Sequence, residues 1–385
     1  MTTAVVIGGG VSGLAAAHYL RKNSKFAKIL VFEASSRLGG WLQSVQHPDG
    51  AVLELGPRSI RPAGRAGKNT LELVSLGALF KVQKPFSRPL ISYIIKEVFQ
   101  KRSTVEDESI YDFIERRMGK EITSKLVKQA RLEKWSTYSF RRGVLQLVNA
   151  LEESLRQTKG TEIHTNTPCS KLHFTSDGKL VVSVNGEEVK AEHVFSSIYA
   201  KNLSQIMSKD HSSLATDLRK IPAVNVVVVC VEIAGKPNLI ESGFGHLLPS
   251  SEDGKLLGVV YDSCVFPQHN RQDMPSSRFT VMMGGAWYEE LRGKSDQELQ
   301  ELAISSLFTQ LGISGTVTKV KVALMKECIP QYLVGHHQLL EKIFTYIKDR
   351  DLPLSLVGSS YRGPSINDCI NNARLEVERI SKHYC

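Results

Sequence analysis

Three glycines at fixed spacing open the chain. Gly8, Gly10 and Gly13 follow the apolar run Thr3–Ile7 and precede a small-residue stretch, Leu14 to Arg21. In this pattern each glycine has a physical task. Gly8 makes a tight turn, Gly10 lets the backbone approach a pyrophosphate, and Gly13 lets helix and strand pack closely. The helix that follows offers free N–H groups and the positive end of its dipole to an anion. A second apolar run, Lys28 to Phe32, ends at Glu33, twenty residues past Gly13. A carboxylate there can accept hydrogen bonds from ribose hydroxyls. A lone GxGxxG is a weak signal, but here strand, helix and acid are all in register. Together they predict a dinucleotide-binding βαβ unit.

The next segment, Glu33-Ala-Ser-Ser-Arg37-Leu-Gly39-Gly40-Trp41, places an arginine and a glycine pair just after the ribose-binding acid. It resembles the extended FAD signature of the flavin amine oxidase superfamily. That resemblance implies that Gly39 and Gly40 lay a second loop against the pyrophosphate. Arg37 has two readings of equal weight, a phosphate partner or a cap of its own loop. Then comes Glu54-Leu-Gly56-Pro57-Arg58-Ser59-Ile60-Arg61-Pro62, stiffened by two prolines and a glycine. A positively charged loop beside an isoalloxazine could stabilise the anionic reduced ring, and Arg58 is the main candidate. Arg61, Arg65 and Lys68 read equally well as a solvated basic surface.

These segments, with Gly243-Phe-Gly-His-Leu-Leu-Pro, Val260-Tyr-Asp-Ser263, Cys328-Ile-Pro-Gln-Tyr332 and Gly358-Ser-Ser-Tyr-Arg-Gly-Pro-Ser-Ile-Asn-Asp-Cys-Ile370, resemble the oxygen-dependent protoporphyrinogen oxidases of animals. The resemblance implies FAD as cofactor and the six-electron oxidation of protoporphyrinogen IX to protoporphyrin IX in haem synthesis, with O2 reduced to hydrogen peroxide. It implies a peripheral homodimer at the intermembrane-space face of the mitochondrial inner membrane. Cofactor residues carry over as Gly8, Gly9, Gly10, Val11, Ser12, Gly13, Glu33, Gly40, Trp41, Gly56, Pro57, Arg58, Ser59, Pro168, Ser359, Pro364, Ser365 and Ile366. Pro168 stands where valine is more usual and brings no N–H to an adenine. Substrate walls carry over as Phe244, Gly245, Leu247, Val260, Met282 and Ile329. Alternating inward positions of a sheet core explain Val260 and Met282 equally well. No catalytic side chain is assigned, because the flavin carries the hard chemistry and the protein supplies position and environment.

The elements that must position these residues are legible in outline. The hairpin signal His47-Pro48-Asp49-Gly50 lies between Trp41–Val45 and Ala51–Leu55. Residues 69–134 have a helical pattern, and 18 of the 39 residues in 96–134 are charged, about twice the chain average, which marks solvated helix rather than apolar lining. Phe140 to Arg156 reads as an amphipathic helix. Strand-like runs follow at 161–165, 171–175, 179–184 and 191–196, then at 224–231, 243–248, 256–262, 278–284 and 318–324. Helices are expected at 295–311, 336–349 and from Ile366, with a buried strand at Leu354–Val357. The expected fold is α/β (α+β). A discontinuous Rossmann-like flavin domain with a parallel sheet takes residues 1–70, 136–200 and 350–385. A remnant helical domain takes 71–135, and an inserted β-sheet substrate domain takes 201–349.

Composition excludes several classes. The 385 residues, 42% hydrophobic and 23% charged, describe an ordinary globular protein and exclude a disordered, collagen-like or disulfide-stapled chain. The net charge of +10 favours an anionic partner, but no Lys/Arg tract with interleaved aromatics exists, so nucleic acid is not expected. Six widely spaced cysteines and the His336-His337 pair show no metal spacing, so no metal is expected. The sequence opens directly on a strand, with no amphipathic presequence.

Two departures from the family are visible. Near Val74–Gly77 and near Leu126–Lys128 the text passes directly between segments that the family separates. The resemblance implies that the first gap removes an arginine that pairs with a substrate propionate, and that the second removes helix roofing the substrate site. Two readings compete: a working flavoenzyme with a reduced lid, or a splice-type variant that keeps the flavin fold and binds FAD but is catalytically impaired. An amine oxidase acting on another small substrate is a third.

Overall fold

The computed structural model describes residues 2–61, 137–175, 178–236, 243–249, 251 and 255–382. The helical stretch expected at 69–134, and both junctions in it, lie outside the described residues. The chain divides into two compact units, residues 59–138 and the remainder.

In chain order the larger unit contains β1 (Thr3–Ile7), α1 (Val11–Asn23), β2 (Lys28–Phe32), β3 (Ser44–Gln46), β4 (Val52–Glu54), α2 (Leu145–Arg156), β5 (Thr161–His164), β6 (Cys169–Phe174), β7 (Leu180–Val184), β8 (Glu187–Ala191), β9 (His193–Ser196), α3 (Ala200–Ile206), α4 (Ser212–Arg219), β10 (Ala223–Ala234), β11 (Gly245–Leu247), β12 (Leu256–Val260), β13 (Ser276–Gly285), α5 (Asp296–Leu311), β14 (Val317–Pro330), α6 (His336–Asp349), β15 (Leu354–Leu356) and α7 (Ile366–Ser381). A parallel five-stranded sheet runs β15-β9-β1-β2-β5. An antiparallel five-stranded sheet runs β11-β12-β13-β10-β14. The three-stranded β6-β7-β8 meander connects β5 to β9.

The parallel sheet is apolar on both faces, as a sheet covered on both sides must be. β1 and β2 are buried from their second residue to their last. α1 packs with its small residues inward. A Cβ at Gly13 would lie 2.0 Å from the carbonyl oxygen of Gly8, so only glycine lets helix and strand approach this closely. The antiparallel sheet is also two-sided. Val227, Val229 and Val231 of β10 face α5 through Leu299, Ala303 and Leu307. The alternate residues Val226, Val228 and Cys230 receive Leu53 and Leu55 of the hairpin. This explains why the β10 text is a continuous apolar run rather than an alternating one.

Several expectations need adjustment. The helix expected from Phe140 begins at Leu145, because Phe140–Gly143 forms a turn that closes with Gly143 at φ +87°. The strand expected over 191–196 is β9, which begins at His193, while Ala191 ends β8 in a different sheet. Helices α3 and α4 were not anticipated. Their Leu203, Leu214 and Leu218, with Leu340 and Ile343 of α6, pack in the same core as Val5 and Ile7. So part of the segment assigned to the substrate domain covers the parallel sheet.

One buried carboxyl organises the hairpin. Glu54 is 3% exposed. It accepts from Ser44 Oγ at 2.7 Å and from the Val144 amide, at the start of α2, at 2.8 Å. Burial raises its pKa from 4.5 to about 7, against the lowering effects of these hydrogen bonds and of Arg58. The folded state therefore holds this proton more tightly than the unfolded chain. The stability it contributes is complete below about pH 4.5 and is lost as pH rises through about 7. In denaturation from pH 5 to pH 8, the unaltered chain should lose on the order of 2–3 kcal/mol more than Glu54→Gln. Parallel stability curves for the two would contradict this.

Candidate flavin site

The carboxyl ends of the parallel strands converge on a cavity of about 470 Å³. β1 ends at Ile7 and leads into Gly8 and Gly10, β2 ends at Phe32 and leads into Glu33 and Ala34, and β9 leads into Ser197 and Tyr199. Thr167 and Pro168 come from the passage after β5, and Ser359 and Ser360 from the loop after β15. Open α/β sheets bind their ligands at this edge.

Two glycine loops line the centre. The Gly39 amide donates to the Gly9 carbonyl at 2.9 Å, and a parallel bridge joins Gly10 to Gly39. A Cβ placed on Gly10 meets nothing nearer than the Gly40 Cα at 3.9 Å, so any larger side chain would occupy the cavity. Glu33 is anchored rather than free. One of its oxygens accepts the Gly9 amide at 2.7 Å, and the other accepts the Ser35 amide at 2.8 Å and hydroxyl at 2.6 Å. The lone pairs left over can take a ribose hydroxyl. Arg37 resolves to the loop-capping reading. Its guanidinium donates to the carbonyls of Leu38, Leu42 and Gly40, the last at 2.6 Å. The backbone-lined space, the free N–H groups at the start of α1 and the anchored carboxylate fit a dinucleotide.

Of the residues expected to hold cofactor, Gly8, Gly10, Val11, Ser12, Glu33, Gly40, Trp41, Pro57, Pro168, Ser359, Pro364 and Ile366 line this cavity. Others do not, for identifiable reasons. A Cβ on Gly9 would strike Leu38 at 2.5 Å, and Gly13 and Gly56 are fixed by backbone contact, Gly56 against the Trp41 carbonyl at 1.9 Å. Ser365 caps α7, its hydroxyl accepting the Asp368 amide at 3.1 Å. Ser59 belongs to the smaller unit. Asn202, Gln205 and Ile206 of α3 also line the cavity and were missed. Their only sequence signal is that they follow β9, whose place beside β1 is a property of the fold.

Arg58 requires a correction. It was expected beside the flavin ring. Instead its guanidinium is 8% exposed and donates to Asp262 Oδ1 at 2.5 Å. Asp262 Oδ2 accepts from Thr280 Oγ1 at 2.6 Å. The pair ties the end of the hairpin loop to the antiparallel sheet, and the charge meant for the flavin is neutralised inside the protein.

The expected substrate residues are not gathered into this cavity. Gly245 and Val260 are cross-strand partners in β11 and β12. A Cβ at Gly245 would lie 2.2 Å from the Val259 carbonyl, so strand pairing alone requires glycine there. Val260 is buried, and Met282 packs with the cluster around Val226 and Leu53, as the sheet-core reading had it. Phe244, Leu247 and Ile329 are exposed apolar side chains.

Comparison with known proteins agrees with the geometry. The family profile described as flavin containing amine oxidoreductase matches residues 78–381, and an NAD(P)-binding Rossmann-like domain matches 6–74. Protoporphyrinogen oxidase of Homo sapiens is 34% identical over 464 aligned positions, covering 97% of each chain. The chain belongs to the protoporphyrinogen oxidase family. The Bos taurus relative is 33% identical over 470 positions covering 98% of each chain. Because 98% of 385 residues is about 377, about 93 of those positions fall opposite gaps in this chain. The solved structure of a putative protoporphyrinogen oxidase from an Exiguobacterium species shares the fold, with a TM-score of 0.75, 17% identity and 99% of each chain covered. Membership of a family described as flavin containing implies a flavin cofactor.

The Arg58–Asp262 pair sets a test. Arg58→Met leaves Asp262 buried without its cation and should cost about 3–5 kcal/mol of stability, much of it recovered in Arg58→Met/Asp262→Asn. A loss confined to flavin affinity, with stability unchanged, would restore Arg58 to the cofactor.

Proposed function

We propose that this chain is an FAD-dependent protoporphyrinogen oxidase that takes a tetrapyrrole substrate and uses O2 as electron acceptor. The observation that carries the reading is the glycine-lined cavity at the carboxyl edge of the parallel sheet, in a chain that aligns end to end with the relatives. Glu33 and the two loops lining the cavity are what a ribose and pyrophosphate need, which favours FAD over a flavin lacking the adenosine half.

The chemistry FAD supplies when bound is hydride acceptance from a substrate carbon. The residues of the chain position and shield. The start of α1 and Gly10 hold the pyrophosphate, and Glu33 holds the ribose. Arg37 keeps the Gly39–Trp41 loop closed against them. Pro57, Ser359, Pro364 and Ile366 border the remaining space. Phe244, Leu247 and Ile329 offer apolar surface to the macrocycle. No acid–base constellation is required of the side chains.

The roughly 93 positions absent from this chain favour a shortened lid, placed by the sequence near 74–77 and 126–128. The two profile matches meet at that first junction, ending at 74 and beginning at 78. A lost propionate-pairing arginine costs on the order of 1.5–3 kcal/mol of binding. We further propose a peripheral homodimer at the intermembrane-space face of the mitochondrial inner membrane. Among the described residues no helix is long and apolar enough to cross a membrane, and the net charge of +10 suits an anionic surface.

The test is to purify the chain, record its flavin absorption, and follow porphyrin fluorescence from anaerobically prepared protoporphyrinogen together with peroxide release. Bound flavin with porphyrin formed at least tenfold more slowly than by the bovine relative is the expected result. Equal rates would contradict the shortened lid. Peroxide from polyamines and none from the tetrapyrrole would make the protein an amine oxidase.

A further inference from the structure

The loop between β15 and α7 borders the flavin cavity at Ser359, Ser360 and Pro364, yet it has no regular structure of its own. Its turns depend on Gly358 at φ +107° and Gly363 at φ +116°. Such a loop keeps its shape only if its backbone groups find partners outside the regular ladders. From within the fold, Tyr361 is buried in the main core, and Ser360 Oγ accepts the Ala200 amide at 3.2 Å.

From without, the partners come from a segment that neither the glycine motifs nor the proposed mechanism uses. The Tyr332 hydroxyl donates to the Ser359 carbonyl at 2.5 Å and accepts the Gly363 amide at 2.9 Å, so one phenol spans both ends of the loop. His336 stacks on Tyr332 with ring centroids 4.1 Å apart and planes 8° from parallel. Its Nε2 lies 3.0 Å from the Tyr361 carbonyl. Three backbone groups of the loop are thus met by two side chains stacked on each other. Burial raises the Tyr332 pKa to about 12, so the hydroxyl that donates to Ser359 keeps its proton at any physiological pH.

Resting on the FAD reading above, we propose that Tyr332 is a positioning residue for the flavin: with His336 it forms a strap that holds the Ser359–Gly363 loop at the cavity wall. The strap begins where β14 ends. Ile329, one of the exposed apolar residues offered to the substrate, lies three positions before it, and the intervening Gln331 amide is held by the Pro222 carbonyl at 2.8 Å. The same short segment therefore reaches from the sheet edge to the flavin loop.

Tyr332→Phe removes both hydrogen bonds and keeps the ring that stacks on His336. Two measurements on the full chain test the strap. In the flavin-free protein, hydrogen exchange of a peptide containing Gly363 should accelerate about tenfold or more, because that amide loses its acceptor. In titrations with FAD, the Kd should rise about three- to tenfold, the range of one or two net hydrogen bonds, while the unfolding midpoint of the flavin-free chain stays within about 2 °C. A purely structural role would move the midpoint and leave the Kd. Unchanged exchange would overturn the strap, since Tyr361 would then suffice to hold the loop. Faster exchange with an unchanged Kd would overturn its role in positioning flavin. Failure of the unaltered chain to bind FAD overturns the cofactor reading itself, and the positioning role with it, and is seen without any variant.

Discussion

The site depends on two glycine loops meeting backbone to backbone. The turn after β1 and the loop that Arg37 caps meet through the Gly39 amide and the Gly9 carbonyl at 2.9 Å. A Cβ at Gly40 would already lie 3.3 Å from the Gly10 Cα. Close approach leaves a cavity whose central lining is peptide rather than side chain. Its amides present a fixed partial positive charge without the entropy of a flexible cation. The same constraint runs outward into the fold. Gly13 lets α1 sit against β1, and Gly56 lets the hairpin return beside Trp41.

Around this centre the protein uses charge for assembly. Glu33 is turned by Gly9 and Ser35, Arg37 holds three carbonyls of its own loop, and Arg58 is spent on Asp262. Asp49 at the tip of the β3–β4 hairpin contacts Lys319, and Arg271 lies between Asp49 and the fully buried Glu232. These contacts lock the hairpin onto the antiparallel sheet. The cationic groups nearest the cavity in the sequence are structural struts in space. Glu33 is the one charged side chain among the described residues lining the cavity, which suits a reaction whose electron chemistry belongs to a cofactor.

What could be read from the sequence divides along the same line. Gly8, Gly10, Gly13 and Glu33 were legible because a positive φ, a close approach or an acid at a strand end leaves few alternatives within a short span. The β-branched run at β10 was legible because burial on both faces leaves no polar positions. Arg58 was misplaced because its partner lies 204 residues away, and one sequence carries no sign of which distant carboxylate will be buried beside it. Arg37 was undecided for a related reason, since a guanidinium serves a phosphate and a row of carbonyls equally well. α3 and the Tyr332 strap went unseen because their role is set by the neighbours of β9 and β15, and strand order is a tertiary property.

On the proposed reading, the backbone cradle at Gly10 and Gly40 holds one FAD. Its most direct test is a fluorescence titration of the flavin-free chain and of Gly10→Leu with FAD, with NAD as competitor. The unaltered chain should bind one equivalent of FAD that equimolar NAD does not displace, and the folded variant should bind at least a hundredfold more weakly. Equal binding by Gly10→Leu, or displacement of FAD by NAD, would contradict it.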